Sequence, residues 1–149
     1  MKIFGKNKNP PAGGKKVITF GTFDIFHPGH AYYLRKAKKL GNYLVTIVAR
    51  DETVKKVKER APEQNEEERV ENIQKYKTAD KVMLGSLGNK YEVIKECCPD
   101  IIALGYDQEV DEEELKNKLE ELGLGHCKIK RIKAFKPEIY KSSKLKNLD

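Results

Sequence analysis

Between an apolar, β-branched run, Val17-Ile18-Thr19-Phe20, and an amphipathic stretch that starts near Ala31 stands Gly21-Thr22-Phe23-Asp24-Ile25-Phe26-His27-Pro28-Gly29-His30. The pattern of apolar residues changes across it from strand-like to helix-like, which predicts a strand, a turn and the first turn of a helix. No other stretch limits the fold as tightly, because a buried strand that feeds a helix begins an α/β unit. Pro28 suits a first helical position, where no N–H is needed. The free N–H groups and the positive dipole end at such a helix start attract anions. Gly21 and Gly29 are expected to let backbone and ligand approach closely. His27 and His30, separated by Pro-Gly, can each donate a ring N–H to an oxygen on phosphorus. The stretch therefore predicts a phosphate site equipped for chemistry, beyond a simple capping turn.

The rest of the chain repeats the alternation. The helix after the motif should run to about Leu40, with Ala31, Leu34, Ala37 and Leu40 on one face, and end at Gly41. Residues 43–48 are nearly continuously apolar, as in a strand covered on both faces. Residues 50–64 read as a charged segment leading to a helix opened by Glu66-Glu67-Glu68 and buried through Val70, Ile73 and Tyr76. Val82-Met83-Leu84 follows as a strand. A helix marked by Tyr91, Ile94 and Cys98 ends at Pro99, and Ile101-Ile102-Ala103-Leu104 is the next strand. Asp111 caps a helix with Leu115, Leu119 and Leu122 at i, i+4 and i+7, stopped by Gly123. Residues 129–132 suit an edge strand, and Ser142 and Ser143 start a short final helix. The prediction is an α/β fold: a single Rossmann-like, doubly wound domain over residues 16–149 with a five-stranded parallel sheet, preceded by a flexible N-terminal extension, residues 1–15. In such sheets ligands bind beyond the carboxyl ends of the strands, where the histidine turn lies.

Other classes are disfavoured. No Gly-x-Gly-x-x-Gly follows the first strand and no Gly-Lys-Ser/Thr occurs, which argues against an ordinary NAD-binding domain and a P-loop NTPase. Lys and Arg number 30 against 23 Asp and Glu, a net +7. The basic residues are interleaved with Glu and lack aromatic partners for stacking bases, so a phosphate-rich small molecule explains them better than nucleic acid. With no apolar run long enough for a signal peptide or a membrane span, a cytoplasmic protein is expected. Cys97, Cys98 and Cys127 have no metal-ligand spacing and are expected to be buried apolar side chains.

Gly-Thr-Phe-Asp, two residues, then His-x-Gly-His resembles the signature of the nucleotidyltransferase superfamily, to which the cytidylyltransferases, pantetheine-phosphate adenylyltransferase and the archaeal FAD synthases belong. Val48-Ala49-Arg50-Asp51-Glu52-Thr53-Val54-Lys55-Lys56, Leu84-Gly85-Ser86 and Pro99-Asp100-Ile101-Ile102-Ala103-Leu104-Gly105-Tyr106-Asp107-Gln108 resemble the archaeal FAD synthases in particular. That resemblance implies transfer of the AMP part of ATP to FMN with release of pyrophosphate, Mg2+ on the triphosphate, no metal held by the protein itself, and a homodimer. It leaves open a CTP-dependent glycerol-3-phosphate cytidylyltransferase, or a non-catalytic nucleotide-binding regulator on the same fold.

By the same resemblance, His27, His30 and Lys58 are the candidate catalytic residues. Gly21, Thr22, Phe23, Arg60, Gly105, Asp107, Ser142, Ser143 and Lys144 join the two histidines as candidate nucleotide-binding residues. Lys58 and Arg60 read equally as solvated helix surface, Asp107 as a turn residue and the serines as an N-cap. The arginine that precedes the serine motif in cytidylyltransferases has at best Arg131, Lys133 or Lys136 in its place.

Overall fold

Runs such as Tyr43–Val48 and Ile101–Leu104 offer water almost nothing, so they are stable only inside a sheet covered on both faces. The computed structural model, which describes residues 3–4 and 12–134, places them there. In chain order the elements are β1 (Ile3–Phe4), β2 (Lys16–Gly21), α1 (Pro28–Lys38), β3 (Tyr43–Val48), α2 (Asp51–Lys58), α3 (Glu66–Tyr76), β4 (Lys81–Leu84), α4 (Tyr91–Cys97), β5 (Ile101–Leu104), α5 (Glu112–Glu121) and β6 (Lys128–Arg131). The sheet order is β1-β4-β3-β2-β5-β6. β2 to β6 are mutually parallel, as expected.

Two apolar layers hold the sheet. Leu34 and Ala37 of α1 and Val70 and Ile73 of α3 pack on one face with Val17, Leu44 and Leu84. Val93, Ile94 and Cys97 of α4 and Leu115 and Leu119 of α5 cover the other, against Ile18, Val45, Ile47 and Ile102. Each such side chain taken out of water stabilises the fold by about 1.5–3 kcal/mol. Inside the sheet the Thr19 and Thr46 hydroxyls pair at 3.0 Å, which satisfies two buried polar groups at once.

The structure departs from the sequence reading at three places. Ile3–Phe4, assigned above to an extension, adds a sixth strand, antiparallel to β4, with Ile3 opposite Met83 and Phe4 opposite Val82. The charged stretch after β3 contains a helix, α2, whose only buried residue is Val54. Cys98 is exposed: it adopts the left-handed conformation that ends α4 (φ 47°), so only its neighbour Cys97 reaches the core. Cys127 is half-buried, and burial pushes its thiol up to about 11.

Candidate active site

The chain runs β2, β3, β4 to one side and returns to β5 and β6 on the other, so the strand order reverses between β2 and β5 while the strands stay parallel. The segments leaving the carboxyl ends of four strands meet there around a cleft of about 1020 Å³. Gly21–His30 follows β2, Ala49–Lys58 follows β3, Gly85, Ser86 and Lys90 follow β4, and Gly105–Val110 follows β5. Ligand clefts usually span about 300–1,000 Å³, so this one has room for two substrates together.

At its base the two histidines cap α1 and each other. His27 is the N-cap residue; its Nδ1 accepts from the Gly29 N–H at 3.1 Å, while the His27 N–H donates to His30 Nδ1 at 3.3 Å. Their rings stack with centroids 3.7 Å apart. A neutral imidazole carries one proton, and since both Nδ1 atoms are acceptors, both protons sit on Nε2. The cap thus sets the tautomer and leaves two Nε2–H donors for a ligand. Burial lowers the affinity of His27 for a second proton. His30 is lowered to about 4, first by burial and then by His27, with Lys58 adding to the shift and Asp24 opposing it. Both rings are neutral donors at physiological pH.

The neighbouring glycines have a structural role that the sequence reading did not name. A Cβ on Gly21 would lie 2.7 Å from Phe23 Cε2, and one on Gly29 would lie 2.9 Å from His27 Cε1. Each glycine makes space for a ring of the motif itself. Phe23, 3% exposed and held at φ 55°, is a core residue. Its ring meets His30 edge-on at 5.3 Å and stacks on Tyr33 at 6.2 Å, and the Tyr33 hydroxyl donates to the Ala103 carbonyl at 2.6 Å. Phe23 therefore supports the histidine from below. Phe23 also lines the cleft, as its candidacy for nucleotide binding requires.

Three arginines shape the rim by capturing main-chain carbonyls. Arg69, 0% exposed, donates to the carbonyls of Thr22 at 2.8 Å and Gln64 at 3.0 Å and to Asp51 Oδ1 at 2.7 Å, joining the motif turn to the start of α2. Arg50 donates to the Gly85 carbonyl at 2.6 Å. Arg131 donates to the carbonyls of Gly105 and Gln108 at 2.8 and 2.7 Å and is paired with Glu112 at 2.6 Å. Gln108 also bonds the Gly105 N–H and the Phe20 carbonyl, which ties the β5 loop to the end of β2. Arg131, named above as one stand-in for the arginine of the cytidylyltransferases, is engaged in building this loop. Asp24 accepts from the N–H groups of Glu63 and Gln64 at 2.8 and 2.9 Å. Burial raises its affinity for a proton, but those N–H groups, with Arg69 and Lys58, hold its carboxyl below the usual carboxylate range.

Of the residues singled out in the sequence, Gly21, Thr22, Phe23, His27, His30, Lys58, Gly105 and Asp107 all line the one cleft. Arg60 is exposed beyond the end of α2 and lines no part of it. Ser142, Ser143, Lys144 and Lys136 lie outside the described residues. Lys58 makes no hydrogen bond or ion pair among the described residues, and its charge is felt at His30 and Asp24. Lys90 and Lys133 also line the cleft. Sequence reasoning passed over Lys90 and Arg69; the signal for Arg69 was its place beside Val70 on the buried face of α3, where an unpaired charge is not tolerated.

This geometry agrees with what the chain resembles elsewhere. A family model described as Cytidylyltransferase-like matches residues 18–148. The FAD synthase of Methanothermus fervidus is 47% identical over 119 residues, 78% of this chain and 81% of its own length. That of Methanothermobacter thermautotrophicus is 42% identical over 125 residues, 82% of each chain. Among solved structures, the lipopolysaccharide core biosynthesis protein from Thermoplasma volcanium superposes with a TM-score of 0.78 at 42% identity, over 83% of this chain and 99% of that one. With a strand–turn–helix histidine motif at the switch point of its sheet and a match along nearly its whole length, the chain belongs to the cytidylyltransferase-like family, alongside relatives that carry the name FAD synthase.

Proposed function

We propose that the protein is an FMN adenylyltransferase, joining the AMP part of ATP to FMN to give FAD and pyrophosphate. The observation that carries this reading is the mutually capped pair His27–His30, two neutral Nε2–H donors at the start of α1 inside a cleft large enough for both substrates. Relatives named FAD synthase along most of the chain favour FMN over glycerol 3-phosphate as acceptor.

In the reaction an oxygen of the FMN phosphate attacks the α-phosphorus of ATP in line. A new P–O bond forms, the bond to the bridging oxygen breaks, and pyrophosphate leaves with its electron pair. Negative charge builds on the oxygens around phosphorus, and the protein's work is to meet it with aimed donors. His27 and His30 donate from Nε2 without exchanging protons, since burial keeps both neutral. The positive end of the α1 dipole, its first N–H groups already capped by the His27 side chain, adds a fixed field, and Lys58 brings a full charge from the end of α2.

Among the described residues no three His, Cys, Asp or Glu side chains are grouped to hold a metal ion, and the Asp24 carboxylate is engaged by backbone N–H groups. This donor set fits Mg2+ carried in on the triphosphate, where it would neutralise the leaving pyrophosphate. Incubation with Mg2+ and either ATP or CTP, with either FMN or glycerol 3-phosphate, tests the reading through released pyrophosphate and flavin chromatography. FAD formed only from ATP and FMN is the expected result; turnover confined to CTP with glycerol 3-phosphate would overturn it.

A further inference from the structure

Four large hydrophobic side chains are notably exposed among the described residues, and two of them, Val57 (75%) and Tyr106 (55%), line the cleft on opposite sides of the histidine turn. Val57 stands out because its helix explains its direction but not its exposure. Val54 of α2 is in the core at 4%; Val57, one turn later and on the same face, extends that apolar stripe past the edge of the core and over the cleft. Glu59, at φ 61°, ends the helix directly afterwards, so Val57 and Lys58 form its last apolar and last charged position. Both line the cleft, above a floor that includes Ile47, Val93 and Ile94.

The two lips differ in the charges next to their exposed side chains, although Lys133, which follows β6 beside β5, puts a cation on the Tyr106 side as well. Tyr106 is followed by Asp107 and Glu109, carboxylates able to accept from the exocyclic amino group of a nucleobase. The Val57 lip carries Lys58 and Lys90 instead, which suits a molecule bearing its own phosphate. A side chain that places a bare apolar surface next to a cation matches an acceptor with an apolar ring edge near a phosphate. We propose that Val57 is a specificity-determining residue of the acceptor subsite, covering the apolar edge of the flavin ring while the adjacent Lys58 takes the flavin's phosphate. This rests on the reading of the protein as an FMN adenylyltransferase.

The test uses the full chain with ATP, FMN and, as a ring without the phosphate, riboflavin. Val57→Asn should raise KM for FMN about tenfold, from lost apolar contact, move KM for ATP less than about twofold, and weaken inhibition by riboflavin in proportion. Lys58→Met should weaken FMN but leave riboflavin inhibition within about twofold of wild type. Since Val57 is largely exposed, Val57→Asn should keep the wild-type melting temperature, which separates lost recognition from lost folding. If wild type forms FAD and Val57→Asn leaves the KM for FMN and the riboflavin inhibition unchanged, the inference is wrong and the functional reading stands. If wild type forms no FAD from FMN and ATP, the functional reading fails and takes the inference with it.

Discussion

The carbonyl of Thr22 accepts a 2.8 Å hydrogen bond from the guanidinium of Arg69, 47 residues further along the chain. Through that bond a fully buried side chain of α3 holds the turn that presents His27 and His30. Arg69→Met keeps the bulk but leaves the Thr22 and Gln64 carbonyls without their donor, at about 1–3 kcal/mol for each unsatisfied group. Urea denaturation should show a total loss of about 3 kcal/mol. Arg69→Lys should recover less than half, because an ammonium cannot serve the forked set of partners. A loss below about 1 kcal/mol would show that the turn stands without this bond.

Capping and catalysis by His27 are separable. Asn is a favoured N-cap, so His27→Asn should keep stability within about 0.5 kcal/mol, whereas His27→Ala should cost about 1 kcal/mol. Both remove the Nε2–H donor, and both should lower turnover by about a hundredfold to a thousandfold. Pyrophosphate release measured beside urea midpoints distinguishes the two effects; near-normal turnover in a folded His27→Asn protein would remove His27 from the chemistry.

Because the folded protein lowers His30 to about 4 from an ordinary 6.5, the unfolded chain binds more protons between these values. His30 therefore adds nothing to the pH dependence of stability above about 6.5 and destabilises the protein progressively as pH falls from 6.5 towards 4. Comparing urea midpoints at pH 7 and pH 5, His30→Gln should lose less stability than wild type on acidification. Nitrogen-15 shifts of the His30 ring should stay those of the neutral Nε2–H tautomer from pH 8 to about 5. An imidazolium appearing near pH 6.5 would contradict the burial and cap described here.

Gly29→Ala tests the space kept for the His27 ring. Alanine favours a helix over glycine by about 1 kcal/mol, which should roughly offset the contact its Cβ makes 2.9 Å from His27 Cε1. The variant should thus fold with near wild-type stability, while the displaced ring lowers turnover on the order of tenfold to a hundredfold. Unchanged turnover would mean that the ring position is not critical.

The histidine turn, the parallel strands and most helices were legible because their signals are local. Buried strands such as Tyr43–Val48 are apolar throughout, and the motif states its own strand, turn and cap. α2 was missed because its eight residues hold just two hydrophobic side chains, Val54 and Val57, one of which points at the cleft. Ile3–Phe4 is too short to announce a strand and gains its place only from the edge of β4. The residues that hold the site's shape were the least legible. Arg69, Arg50, Arg131 and Gln108 act on main-chain groups between 3 and 88 residues distant, and a carbonyl leaves no trace in the identity of the residue that owns it.

That last feature bears on how such a protein can change its substrates over time. The loops around the cleft are pinned through their backbones, at Thr22, Gly85, Gly105 and Gln108, by arginines rooted in neighbouring elements. The Tyr106 and Asp107 side chains, which project from one of these loops into the cleft, make no hydrogen bond among the described residues. A lineage could exchange them one at a time, redirecting the enzyme to another base or another acceptor, while the frame that aims the histidines stays where it is.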